Sequence, residues 1–275
     1  MLKKLQPYVR RNFVAVKPYL QKTIHSDNAN GEKQVTFLSG FARSGTNMVM
    51  EVFEWTLKTE VFRERDPRLY DNFELCDEAT ILRQVAASPA RYVIVKAVLD
   101  GHRLAGLMDL FPGSGAMWMY RHYDDCVNSI LQHWPGHRNG IDEIVESGPD
   151  AAGWRGRNMT DETLAQLRAE YEPGWNDATC NAWFWYLRHQ SFYDQDFDTS
   201  PRAVLVRYES LVTEPLRVIG PLADLAGVKM TSLMASVPHA RSVRKKPAAD
   251  IAPKVRERCE AMLARLDATW QAEGI

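Results

Sequence analysis

The sequence predicts an α/β fold: a P-loop-like three-layer sandwich whose central, mostly parallel sheet is covered by helices on both faces. Three observations predict it. Short apolar runs recur along the chain and alternate with segments of helical period, the pattern of βα units. The first run passes through a glycine-bracketed turn directly into a helical segment. The chain has 275 residues, 45% of them apolar, enough to build one large core.

Residues 1–33 read as a basic amphipathic helix and a polar linker, "SDNANGE", and residues 34–275 as a single α/β domain. Within the domain the first strand spans 34–40 and a helix follows over 44–58, with Met48, Val52 and Trp55 at helical spacing. A mixed region runs to 75. A short helix at 77–86 precedes the strand "YVIVKAV" at 92–98, and a helix covers 102–110. The stretch "FPGSGAMWMYRH" gives a turn, a strand at 116–120 and Arg121. "DDCVNSILQHW" is helical, its acidic start suiting a helix N-terminus. Pro, Gly and charge predict a long loop over 134–160. Helices follow at 161–171 and 175–193, a strand at Arg202–Val206, and helices at 214–226 and 253–272.

Charge narrows the partners. Lys plus Arg number 34 and Asp plus Glu 35, so the chain as a whole does not coat nucleic acid, and any anion site is local. Cys76, Cys126, Cys180 and Cys259 show no CxxC or paired spacing, which points to free thiols and a cytoplasmic setting. No run reaches the length of a membrane span. Residues 1–25 carry Lys3, Lys4, Arg10, Arg11, Lys17 and Lys22 without an acid, with Leu2, Leu5, Val9, Phe13, Val16, Leu20 and Ile24 at three- and four-residue spacing. Two readings stand: a peripheral anchor on anionic membrane, and a packing helix with a solvated basic face. Pro7 and Pro18 predict that this helix bends or breaks.

The stretch "FLSGFARSGTNMVMEVFEW", residues 37–55, carries the chemistry. A helix start presents amides with no intrahelical partner at the positive end of its dipole. Gly40 and Gly45 let backbone approach a bulky oxyanion; Ser44, Thr46 and Asn47 add donors and Arg43 a full charge. In parallel sheets ligands collect at the carboxyl ends of strands. There the sequence also places Arg121, Arg207 and Tyr208, with Ser129 on the helix that Arg121 leads into. An Arg at a strand end and a Ser on the next helix can hold one phosphate from two sides.

With these motifs the chain resembles sulfotransferases that use 3′-phosphoadenosine 5′-phosphosulfate (PAPS), and bacterial, carbohydrate-directed members more than animal cytosolic ones. "GFARSGTN" matches the loop that cradles the 5′-phosphosulfate. "YRHYDDCVNS" supplies Arg121 and Ser129 at the spacing that grips the 3′-phosphate. "YESLVTEP" places Tyr208 near the adenine, and "SVRKKP" offers Arg244 and Lys245 to close over the nucleotide. The resemblance runs from about residue 34 to 247. It implies sulfuryl transfer to a hydroxyl or amine acceptor, a carbohydrate or glycolipid, with no metal. The chain departs from the cytosolic members at two places, Arg43 for a Lys and Val98 for a His, and from the family's usual pattern at two more, Tyr123 for a Pro and Lys246 for a Gly.

Transfer needs charge at the leaving oxygen, assigned to Arg43, and a base for the acceptor proton. Glu51 is the first candidate base, four residues after Asn47 and on its helix face, with Glu54 and His102 behind it. Sugar-directed bacterial members carry a Glu at this place. Pro135 and Gly136 deny His133 and His137 in "HWPGH" a helical i, i+4 geometry, and no Cys or acid pair completes a set, which argues against metal. Trp134 and Trp154 could stack on a sugar ring, and Arg138, Arg155 and Arg157 could hold an anionic acceptor. The aromatic run at 175–193 reads as core or as a ligand platform. Two rivals remain. A P-loop kinase or hydrolase would need a Lys and a Ser/Thr where Thr46 and Asn47 stand. A membrane-surface adaptor would bind nucleotide without turnover.

Overall fold

The strands are β1 (Gln34–Gly40), β2 (Thr59–Phe62), β3 (Tyr70–Asp71), β4 (Glu74–Leu75), β5 (Tyr92–Lys96), β6 (Gly115–Tyr120) and β7 (Ala203–Arg207). Five of them form one sheet in the order β2-β5-β1-β6-β7, every pair parallel; β3 and β4 make a separate antiparallel hairpin. The computed structural model describes residues 2–24, 32–136, 140–157, 159–240 and 243–274, with backbone alone for 2–7 and 24.

The helices are α1 (Leu2–Ile24), α2 (Thr46–Glu54), α3 (Glu78–Ala86), α4 (Leu104–Asp109), α5 (Tyr123–His133), α6 (Ile141–Ser147), α7 (Asp161–Glu170), α8 (Asp177–Tyr193), α9 (Tyr208–Thr213), α10 (Pro215–Leu225), α11 (Ser232–Ala235) and α12 (Pro253–Ala272). The alternation of side chains along a strand divides the core into two layers. Phe37, Val95 and Trp118 point to one face and meet Trp183 and Phe192 of α8 and Leu266 of α12. Leu38, Ile94 and Met119 point to the other and meet Val49 and Phe53 of α2 and Leu222 of α10. Each such side chain contributes about 1.5–3 kcal/mol by leaving water. The result is the three-layer α/β sandwich the sequence predicts. Gly40 marks where β1 and β6 come closest: φ is 130° there, and a Cβ would stand 2.2 Å from the Met119 carbonyl oxygen.

Several boundaries differ from expectation, each for a tertiary reason. The helix expected at 44–58 ends at Glu54, because residues 59–62 leave as the edge strand β2. A four-residue strand between charged neighbours gives too short an alternation to read. The expected loop 134–160 carries α6 and a 3₁₀ segment, Pro149–Arg155; Ile141 and Ile144 anchor α6 in the core. The helix expected at 102–110 begins as a 3₁₀ turn, Gly101–Arg103, and α9 forms ahead of α10, which starts on Pro215.

Pro7 and Pro18, expected to bend or break the first helix, do not break it: α1 is one helix from Leu2 to Ile24. Docking rather than propensity holds it. Phe13 stacks on Trp55 with centroids 5.6 Å apart, Lys17 Nζ donates to the Glu54 carbonyl at 3.0 Å, and Gln21 Nε2 donates to the Thr59 carbonyl of β2 at 2.7 Å. The docked face is therefore Arg10, Phe13, Lys17 and Gln21, while Val9 and Val16 of the expected apolar face are 53% and 50% exposed. Burial pushes the Lys17 ammonium down to about 8, against the opposing charges of Glu54 and Glu60. On the far edge the Glu273 carboxylate accepts from the Leu205 amide of β7 at 3.1 Å.

Candidate functional site

The carboxyl ends of β1, β5 and β6 open into a cavity of about 1330 Å³. Its first wall is the turn between β1 and α2. Arg43 sits in the left-handed region at φ 68° and Gly45 at φ 102°. Ser44 closes the turn: its amide and its hydroxyl both donate to the Phe41 carbonyl, at 3.2 and 2.6 Å. Ser44 is thus fully buried inside the turn and does not line the cavity, whereas Arg43, Gly45, Thr46 and Asn47 do. Gly40 does not line the cavity either; it packs against Met119 of β6. The first amides of α2 have no intrahelical acceptor, and left-handed residues in the preceding turn favour an anion-binding concavity.

Arg43 reaches across to α5. Its Nε donates to Ser129 Oγ at 2.9 Å, its Nη2 meets His133 Nε2 at 3.1 Å, and its guanidinium lies 5.7 Å from the Trp134 ring centre. Arg121, at the end of β6, donates to the Arg43 carbonyl at 3.4 Å and pairs with Asp125 at 3.2 Å. It also covers the Tyr208 ring at 4.4 Å. Burial, and then the neighbouring Arg121 charge, lower the Arg43 pKa. The two guanidiniums repel each other, and Asp125 offsets the charge of Arg121.

The neighbouring segments are held by carboxylates. Glu209 accepts from the His122 amide at 3.1 Å, tying α9 to the end of β6. Asp125 accepts from the Arg244 amide at 3.0 Å and Asp124 from Ala249 at 3.0 Å, which lays residues 244–249 along α5. Lys245 and Lys246 then border the cavity. The Arg244 side chain turns instead to His122 at 2.8 Å and is not part of the wall.

On the opposite side Lys96, at the end of β5, is buried between Asn47 Oδ1 at 3.1 Å and Glu64 Oε2 at 2.5 Å. Burial lowers its pKa, with Glu64 opposing the shift. Glu51 lines the cavity and pairs with Arg10 of α1 at 3.3 Å. Glu54 is buried between Arg10 and Arg63, each at 2.7 Å. Burial alone would raise its pKa, but those two partners hold it below the usual carboxylate range. His102 is buried and does not line the cavity; its Nδ1 lies 3.2 Å from the Leu99 carbonyl. Burial and the Arg188 charge push it down to about 4. Of the three base candidates, Glu51 alone lines the cavity.

Sequence reasoning missed Glu64, His133 as a partner of Arg43, and Arg188. Arg188 had a signal: it follows Phe184 by four residues, a cation on the inner face of an aromatic helix. Trp154 and Arg155 do border the cavity, while Arg157 pairs with Glu74 at 2.5 Å instead. His137 and Arg138 lie outside the described residues. Among the described residues no cluster of His, Cys, Asp and Glu is placed to hold a metal ion, and no helix is long and apolar enough to cross a membrane.

Solved structures place this architecture. The sulfotransferase domain from the curacin biosynthetic pathway superposes with TM-score 0.50 at 11% identity, covering 86% of this chain and 98% of that one. The fold is shared with sulfotransferases. The sulfotransferase of Alicyclobacillus acidocaldarius is 16% identical over 88% of this chain and 96% of its own, with TM-score 0.48. Mouse sulfotransferase SULT7A1, solved in complex with PAP, is 14% identical over 87% of each chain, with TM-score 0.47. No family model and no curated protein matches the sequence.

Proposed function

We propose that this chain transfers a sulfuryl group from 3′-phosphoadenosine 5′-phosphosulfate to a hydroxyl of a carbohydrate-type acceptor. One observation carries the reading: Arg43 and the start of α2, the Arg121 and Ser129 pair, and Glu51 border a single cavity. Arg121 and Ser129 take the 3′-phosphate, Tyr208 borders the adenine, and Lys245 closes from the solvent side. The amides of Thr46 and Asn47 take the phosphosulfate. Arg43 and Lys96 place positive charge near the bridging oxygen, which gains negative charge as the S–O bond breaks.

The step balances without a metal. The acceptor oxygen attacks sulfur as its proton passes to Glu51, and the bond from sulfur to the phosphate oxygen breaks. The products are a sulfate ester and 3′-phosphoadenosine 5′-phosphate. Arg10 orients the Glu51 carboxylate. The loss of the Walker-type Lys at Thr46 disfavours a kinase.

The test is a labelled-sulfate transfer assay over sugars, phenols and amphiphiles, beside binding of 3′-phosphoadenosine 5′-phosphate and of ATP with Mg²⁺. Transfer, with the bisphosphate bound at least tenfold more tightly than ATP, is expected. Tight ATP·Mg binding without sulfate transfer overturns the reading.

A second reading concerns α1. Tyr8, Val9, Val16 and Tyr19 are exposed beside Arg11 and Lys22. That surface suits peripheral contact with anionic lipid. Sedimentation with phosphatidylserine vesicles tests it; equal recovery with and without the anionic lipid removes it.

A further inference from the structure

The cavity wall also holds a buried cation that pairs with no anion among the described residues. Arg188 projects from α8, is 6% exposed, and borders the cavity. Among the described residues it forms no ion pair or hydrogen bond. The carboxylate whose charge it feels, Asp100, is engaged elsewhere: one oxygen pairs with Arg103 at 2.8 Å and the other accepts from the Leu75 amide at 2.9 Å. Burial lowers the Arg188 pKa only to about 10, so it is a full cation at neutral pH. An unpaired buried charge costs several kcal/mol unless an anion reaches it.

The surroundings describe that anion. The Arg188 guanidinium lies 5.6 Å from the Trp154 ring centre and Arg155 lies 4.7 Å from the same ring. Phe184 meets Trp154 edge to face at 6.2 Å. Val98 and Leu99, on the segment that leaves Lys96, complete an apolar wall. Gly101 packs close beside the cation: a Cβ there would stand 2.4 Å from Ser39 Oγ and 3.3 Å from Arg188 Nη1. A flat or ring-shaped body fits against the aromatic wall, and a planar oxyanion fits the guanidinium fork.

Resting on the proposed transferase reading, we infer that the acceptor is itself an anion: a hydroxylated ring compound bearing a carboxylate or comparable oxyanion, which Arg188 binds while a hydroxyl faces Glu51. Arg188 is a specificity residue for the acceptor and takes no part in nucleotide binding.

Matched probes test this on the protein saturated with 3′-phosphoadenosine 5′-phosphate. Calorimetry compares 4-nitrophenyl β-glucuronide with the corresponding glucoside, and 4-hydroxybenzoate with 4-hydroxybenzamide. The anionic member of a pair is expected to bind roughly 10- to 100-fold more tightly, the range of a charged hydrogen-bonded contact. Arg188→Gln is expected to erase that preference while the affinity for the bisphosphate stays within threefold; Arg188→Lys should keep part of it. No preference in the wild-type protein, a measurement that needs no variant, overturns the inference. So does a preference that survives in Arg188→Gln. Failure to bind the bisphosphate at all overturns the transferase reading instead, and this inference with it.

Discussion

Arg43 Nε donates to Ser129 Oγ at 2.9 Å, joining residues 86 positions apart across the mouth of the sheet. The contact links the turn after β1 to the helix after β6, the two elements assigned to opposite phosphates of one nucleotide. It also draws the Arg43 guanidinium toward Ser129, the residue proposed for the 3′-phosphate. Lys96, fixed by Asn47 and Glu64, then becomes the nearer cation on the other side of the α2 start.

A double-mutant cycle on this pair measures that link. Ser129→Ala is expected to weaken 3′-phosphoadenosine 5′-phosphate binding about tenfold, one hydrogen bond to a charged group. Arg43→Ala should weaken the same binding at least tenfold and, separately, cost roughly 10²–10³ in turnover, as loss of a preorganised charge does. Because the two side chains touch, the double variant should lose less than the product of the single losses. Strict additivity, read by calorimetry, would place the two residues on separate ligand groups.

Glu51→Gln is expected to lower kcat by about 10²-fold or more while leaving the bisphosphate Kd unchanged, the signature of a lost base. Arg10→Ala should give a smaller loss in kcat, because Arg10 is the contact that α1 makes with Glu51. If Glu64→Gln carries the larger loss instead, the base lies on the β2 side of the cavity.

Gly45→Ala tests the turn itself. The residue would have to keep φ near 102° and its Cβ would stand 2.5 Å from the Tyr208 ring. The left-handed backbone alone costs about 1–2 kcal/mol. Nucleotide affinity should fall at least tenfold, with a lowered Tm in thermal unfolding.

Lys17 gives a pH-dependent prediction. Its folded pKa is about 8 against 10.5 for the free side chain. Between those values the unfolded chain holds a proton that the folded chain has released, so this group makes stability rise as pH increases through that window. Below it both states are charged and the folded one bears the full desolvation cost. Urea unfolding at pH 7.5 and 9.5 should show the rise in the wild-type protein and a flatter response in Lys17→Met.

The parts legible in the sequence were the local ones. β1, the helix start after it, and Arg121 with Ser129 follow from spacing within a few residues, and the apolar runs give the sheet its parallel class. What stayed hidden depends on distant partners. β2 is too short to announce itself and exists because it pairs with β5. The buried face of α1 is chosen by Glu54 and Thr59, so polar Lys17 and Gln21 turn inward while Val9 turns out. Glu64 meets Lys96 only once β2 and β5 lie side by side. The same holds for Arg188 and Trp154, brought together from α8 and a segment that reads as plain loop.

The sheet's outer strands are closed by remote pieces of chain: Gln21 on β2 and Glu273 on β7. Each supplies one hydrogen-bonding group where a neighbouring strand would otherwise dock. Cutting back either segment therefore does more than remove a helix. It leaves a bare ribbon margin able to recruit a second molecule, so shortened versions should elute as concentration-dependent aggregates before they show any defect in chemistry.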